Sequence, residues 1–172
     1  MKLFIYLGLI FFSLTFTVAA QNIKQTVLAK TEETLLRVEV ESGKLFELKA
    51  ADLAKLPRRE VKAKTHDGAD ATFAGVDLRE VLKLAGVKLG EAGKKENLIS
   101  YLSVEAADKY RAIFAMIELE PDFTDKIVLL ADSREGKPLS DEEGKLRLVV
   151  PDEKKQARWV RQVVRLKIVK IP

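Results

Sequence analysis

Gly144-Lys145-Leu146-Arg147-Leu148-Val149-Val150-Pro151 is the stretch on which the fold turns. From Lys145 to Val150 the run is aliphatic enough for a strand, and Pro151 ends it because proline has no N–H to give to a ladder. Trp159-Val160-Arg161 follows, and from Trp159 to Lys170 apolar and charged residues alternate. Period two places Arg161, Arg165 and Lys167 on one face, with Val160, Val164, Leu166 and Ile168 on the other. The second face is expected to join the core, the basic face to meet solvent, and Trp159 to pack.

Working outward, Leu35–Val40 and Leu45–Leu48 read as a hairpin across the turn Glu41-Ser42-Gly43-Lys44. Ala50–Leu56 is a short helix stopped by Pro57, and Glu60–Thr65 alternates again. The turn His66-Asp67-Gly68-Ala69-Asp70 leads into Ala71-Thr72-Phe73. Asp77 then opens a helix whose Leu78, Val81, Leu82 and Ala85 share one face, with Asp77 and Glu80 at capping-box spacing and Gly86 at the end. Leu98–Ala106 and Arg111–Met116 fit two strands or one long helix, and periodicity leaves both open. Lys126–Leu130 is a buried-strand run, and Arg134–Pro138 is a turn. The expected class is α+β, strand-rich with short helices.

The 172 residues are 47% hydrophobic and 33% charged, which fits one globular domain and excludes a disordered chain. There is no cysteine, so disulfides, cysteine-held zinc, iron–sulfur clusters and thiol nucleophiles are excluded together. Thirty basic residues stand interleaved with 26 acidic ones, as on a solvated surface rather than a nucleic-acid-binding one. Met1–Ala20 carries Lys2, an apolar run too short to span a bilayer, and Val18-Ala19-Ala20 before Gln21, the pattern of a cleaved secretory signal. The expected division is a signal at 1–20, an N-terminal extension at 21–34 and the domain at 35–172. The expected location is periplasmic or secreted, with no stable membrane span after cleavage and no nucleic-acid partner.

Four segments together resemble the molybdopterin-binding domain of the sulfite oxidase family. They are Leu56-Pro57-Arg58, the run from Phe73 to Leu82, Val128–Asp132 with Gly136–Leu139, and the run from Gly144 through Trp159-Val160-Arg161. The resemblance implies a sulfite-oxidase-type fold with a β-grasp-like part. In catalytic relatives it also implies a molybdenum cofactor held by one cysteine thiolate near the end of the strand after the Leu-Pro segment. The corresponding stretch here is Lys62-Ala63-Lys64-Thr65-His66-Asp67, without sulfur. The leader also lacks the Arg-Arg pair of the route for proteins folded around complex cofactors.

Both features weigh against molybdenum catalysis and predict an exported binding module for a small anionic ligand or an envelope protein partner. No cofactor and no metal are then expected. The alternative is a molybdopterin-dependent oxidoreductase exchanging electrons with a membrane redox partner. The anion- or cofactor-binding candidates are Arg147, Lys154, Lys155, Arg158 and Arg161, since arginine's planar fork suits a phosphate. His66, the one histidine, is the candidate catalytic acid–base, although the Asp67-Gly68 pair already accounts for its segment as a solvated turn. Ser103, Ser133 and Ser140 lack a nucleophile-elbow setting, and the carboxylate pairs Glu32-Glu33 and Glu142-Glu143 read as surface.

Overall fold

The Gly43 turn joins Thr34–Glu39 (β1) to Leu45–Lys49 (β2), and this expected hairpin is the start of one sheet in the computed structural model, which describes residues 32–171. Ala50–Leu53 (α1) leads to Pro57, after which Arg58–Lys64 (β3) and Asp70–Asp77 (β4) pair antiparallel in continuous register from Arg58↔Val76 to Lys64↔Asp70. Leu78–Leu84 (α2) follows, then a one-turn helix, Lys94–Asn97 (α3). The open question between strands and a long helix falls to Ser100–Ala106 (β5) and Arg111–Ala115 (β6), antiparallel neighbours. Leu129–Arg134 (β7), Lys137–Pro138 (β8), Arg147–Val149 (β9) and Val163–Lys170 (β10) complete the set.

The strands form two sheets, one ordered β2-β1-β10-β5-β6 and the other β3-β4-β7-β8 with β9 also on β7. Among the described strands only β1 and β10 run parallel. Leu36, Val38, Leu102, Val104, Leu166 and Ile168 from the first sheet join Phe73, Val76, Leu129, Leu130 and Leu148 from the second in one core, which the apolar face of α2 extends. This is the strand-rich α+β architecture that the sequence pattern requires. Among the described residues no helix is long and apolar enough to cross a membrane.

Local expectations are corrected in four places. The last strand begins at Val163, not Trp159, because residues 160–163 are hydrogen-bonded to β9 and the segment before it: Leu148 N–H donates to Val160 O, Gln162 N–H to Glu143 O and Val163 N–H to Leu146 O. A positive φ at Gln162 and a register shift at Val163–Arg165 then bury Val163 and leave Val164 exposed, after which Leu166 and Ile168 face the core and Arg165 and Lys167 solvent, as expected. Glu80 does not close a capping box. Its carboxylate takes Lys83 at 3.0 Å, while the Asp77 carboxylate accepts from Arg79 N–H at 3.0 Å. Glu143 is buried rather than on the surface. Finally, β7 starts at Leu129, so Lys126–Val128 precede the ladder. The left-handed Gly86 does end α2, with its N–H on Lys83 O and Val87 N–H on Leu82 O.

Candidate functional site

The end of β3 and the turn after it form one wall of a cleft of about 630 Å³. Thr65 N–H donates to Ala69 O at 2.8 Å and Gly68 N–H to Thr65 O at 2.9 Å, so the tight turn presents His66 to solvent. Hydrogen bonds from the Thr65 hydroxyl and the Ala69 N–H hold the Asp67 carboxyl below its ordinary range. The turn is thereby satisfied from within. His66 has no hydrogen-bonded partner among the described residues that would orient it as an acid or base.

The opposite wall is the segment Pro151–Trp159, which leaves β9 and crosses to the body of the domain. It is pinned along its length. Trp159 Nε1 donates to Val150 O at 3.0 Å, Gln156 Nε2 reaches Lys64 O at the end of β3, and the Tyr110 hydroxyl donates to Ala157 O at 2.6 Å. Trp159 is nearly buried and meets Phe73 edge to face at 5.9 Å.

Lys62, Lys64, Lys154 and Lys155 line the cleft from the two walls. Asp70 and Glu153 line it too, but both are engaged: Lys64 Nζ lies 3.2 Å from Asp70, and Arg158 Nε donates to Glu153 at 2.6 Å. Lys62, Lys154 and Lys155 have no ion pair among the described residues, which leaves the cleft with a surplus of positive charge.

The basic candidates thus separate into four groups. Lys154 and Lys155 reach the cleft, joined by Lys62 and Lys64, which the sequence reading passed over although their period-two spacing beside the His66 turn was visible. Arg158 spends its fork on protein: beyond Glu153 it binds Glu118 at 3.0 and 3.2 Å and Ile113 O at 3.2 Å, and its Cζ lies 4.3 Å from the Phe114 ring centroid. Burial pulls the Arg158 pKa down, and the hydrogen bonds to Glu118 and Glu153 outweigh it, for a net rise. Arg161 lines a separate hollow of about 230 Å³ that shares Gln156 and Trp159 with the cleft.

Arg147 lies in the interior, 5.0 Å from the Phe73 ring centroid and 5.7 Å from that of Trp159, with Glu143 as its ion-pair partner and Nε without a hydrogen-bond acceptor. On β10, Arg165 and Lys167 both pair with Glu39 of β1, whose carboxyl is held down first by Lys167 and then by Arg165. That face is a lattice of cross-strand charge pairs.

The donors around the cleft do not fit a thiolate-held molybdenum. They are ammonium groups, one imidazole and two carboxylates already paired with Lys64 and Arg158, whereas soft metals take sulfur ligands and this chain has no cysteine. Among the described residues no group of three or more histidine or acidic side chains converges as a metal site.

A sequence model described as the oxidoreductase molybdopterin binding domain matches residues 23–172. The crystal structure of the sulfane dehydrogenase SoxCD from Paracoccus pantotrophus superposes with a TM-score of 0.60 at 24% identity, over 80% of this chain and 38% of that one. The chain therefore spans well under half the length of that relative, and at this identity the likeness concerns the fold. No curated protein matches the sequence.

Proposed function

The chain belongs to the oxidoreductase molybdopterin-binding domain family, and on that premise we propose that it is an exported member that binds a small anionic ligand without coordinating molybdenum. One observation carries the reading. The cleft wall formed by Lys62–His66, the stretch that the family resemblance sets against the metal-binding segment of catalytic relatives, bears lysines and no sulfur, and Lys154 and Lys155 face it from the second wall. Ammonium groups are compact, rotatable donors, suited to a phosphate, sulfate or carboxylate held as a point charge. A hydrogen bond to a charged group contributes about 1.5–3 kcal/mol where solvent is excluded and less at an open rim.

Calorimetric titration of the purified protein with inorganic phosphate, pyrophosphate and a pterin phosphate tests the site. Binding weakened in Lys154→Ala and Lys155→Ala, with a steep salt dependence, supports it. Affinity equal to wild type in both variants, or no binding of any anion, overturns it. Elemental analysis of protein purified from its native compartment tests the second part. Stoichiometric molybdenum there would favour the reading that family membership keeps open, an oxidoreductase carrying a molybdopterin-type cofactor and working with a membrane redox partner.

Export rests on Met1–Ala20, which lies outside the described residues. Mass spectrometry of the native protein should find Gln21 at the N-terminus, and an intact Met1 form held in the membrane would count against cleavage. A soluble envelope location also gives a protein partner access to the cleft, and co-purification from that compartment tests for one.

A further inference from the structure

Of the basic residues around the cleft, Arg158 is the one whose surroundings assign it a different task. Its guanidinium is stacked over Phe114 on β6, and both edges of the fork are taken by Glu118 and Glu153, with Ile113 O as a further acceptor. Glu118 is itself fixed, since its Oε1 also accepts from Ala115 N–H at 3.0 Å. Arg158 therefore connects the edge of the first sheet to the segment that bears Lys154 and Lys155. At the same time it holds the one carboxylate of that segment that lines the cleft.

We propose that Arg158 is a positioning residue for the cleft: it draws Glu153 toward Glu118 and Phe114, and so keeps Lys154 and Lys155 free to meet an anion. The proposal rests on the anion-binding reading above and adds to it the group that sets the charge of the site. Without Arg158, the Glu153 carboxylate has two neighbouring ammonium groups to pair with and a place on the cleft wall from which to repel a ligand. The loss would then be felt through Glu153, not through a missing contact to the ligand. Glu118 lies below its ordinary pKa because hydrogen bonds from Arg158 and Ala115 N–H outweigh the opposing effect of burial, as expected if the cluster stays ionised at neutral pH.

The test uses inorganic pyrophosphate as probe with Arg158→Ala, Arg158→Lys, Glu153→Gln and the double variant Arg158→Ala/Glu153→Gln. Arg158→Ala should weaken binding about tenfold, within the range of coupling between groups of one charge network. Glu153→Gln alone should bind at least as well as wild type, and the double variant should recover most of the loss. Arg158→Lys, which keeps the charge but not the fork, should fall between. Hydrogen exchange on the same proteins without pyrophosphate should show the amides of Glu153 and Trp159, bonded to Val150 O and Gln156 O, losing protection in Arg158→Ala while those of β4 and β7 keep theirs. Wild-type affinity in Arg158→Ala, or a double variant as weak as the single one, overturns the proposal. If wild type binds neither pyrophosphate nor the other anions, the anion reading fails, and exchange still decides the positioning role: unchanged protection in Arg158→Ala refutes it.

Discussion

Arg147 donates through Nη1 to Oε1 of Glu143 across an ion pair whose side chains are 6% and 11% exposed. The pair is wedged behind the Phe73–Trp159 contact, so the residue on which the cleft wall ends rests against a buried cation. Ser140 adds its N–H and hydroxyl to the other Glu143 oxygen, each at 3.3 Å, and Arg134 stands 3.8 Å from the first. Both charges have left water, and each is tolerated because the other is present.

Glu143→Ala should therefore cost about 3–5 kcal/mol, the size expected when one partner of a buried pair is removed and the other is stranded. Replacing both charges, as in Glu143→Gln with Arg147→Met, should recover most of that. Urea unfolding of the three proteins checks this. A Glu143→Ala protein as stable as wild type would mean that water reaches the Arg147 guanidinium.

The same pair gives stability a pH dependence. Burial pushes the Glu143 carboxyl up, but the hydrogen bonds from Arg147 and Ser140, with the charges of Arg147 and Arg134, bring it below the 4.5 of an unperturbed glutamate. With the folded pKa depressed, the unfolded chain takes up the proton first as pH falls. The stabilisation is complete above about pH 4.5 and lost as pH drops through the folded value. As pH falls below about 4.5, wild type should lose stability more steeply than Glu143→Gln, and parallel curves would refute the assignment.

Local signals in the sequence carried much of the fold. Asp77 and Gly86 marked the ends of α2 because capping depends on neighbours a few residues away, and the β1–β2 hairpin followed from its turn. What failed depended on distant partners. Val164 reads as core by alternation, yet the bonds from residues 160–163 to the Glu143–Leu148 segment and the register shift at Val163–Arg165 turn it outward, while Leu166 and Ile168 keep the expected inward face. Glu143 reads as a surface charge and Arg147 as an anion ligand because each is buried only by virtue of the other. Arg158 resembles an anion ligand until Glu118, 40 positions away, takes its fork. Lys154 and Lys155 reach the cleft wall for a simpler reason: they lie in the loop after Pro151, where a strand must end.

Stability should rest on the face of α2 rather than on the His66 turn. Leu82 is fully buried, and Leu82→Ala should cost about 2–5 kcal/mol. His66 is exposed on a turn held by other residues, so His66→Ala should stay within about 0.5 kcal/mol of wild type. Chemical denaturation of both variants, with and without added divalent metal, reads this. A large loss at His66 that metal reverses would revive the turn as a ligand site.

Gly75 sits where β4 shifts register against β7, and there the two backbones meet without room for a side chain. A Cβ at this position would lie 2.1 Å from Leu130 O and 2.6 Å from Ala131 Cα, both main-chain atoms that cannot rotate away. Gly75→Ala must therefore part the two central strands of the second sheet, at a cost of about 1–3 kcal/mol or more, since overpacking a tight core moves backbone. Gly68 supplies the contrast. Its φ is +83° and nothing stands within 4 Å of an added Cβ, so Gly68→Ala pays only for the left-handed conformation, about 1–2 kcal/mol. The two should differ in kind as well as in size: Gly75→Ala should expose amides of β4 and β7 to hydrogen exchange, whereas Gly68→Ala should disturb the Thr65–Ala69 turn alone. Exchange confined to the turn in both variants would show that the β4–β7 contact gives way more readily than its geometry implies.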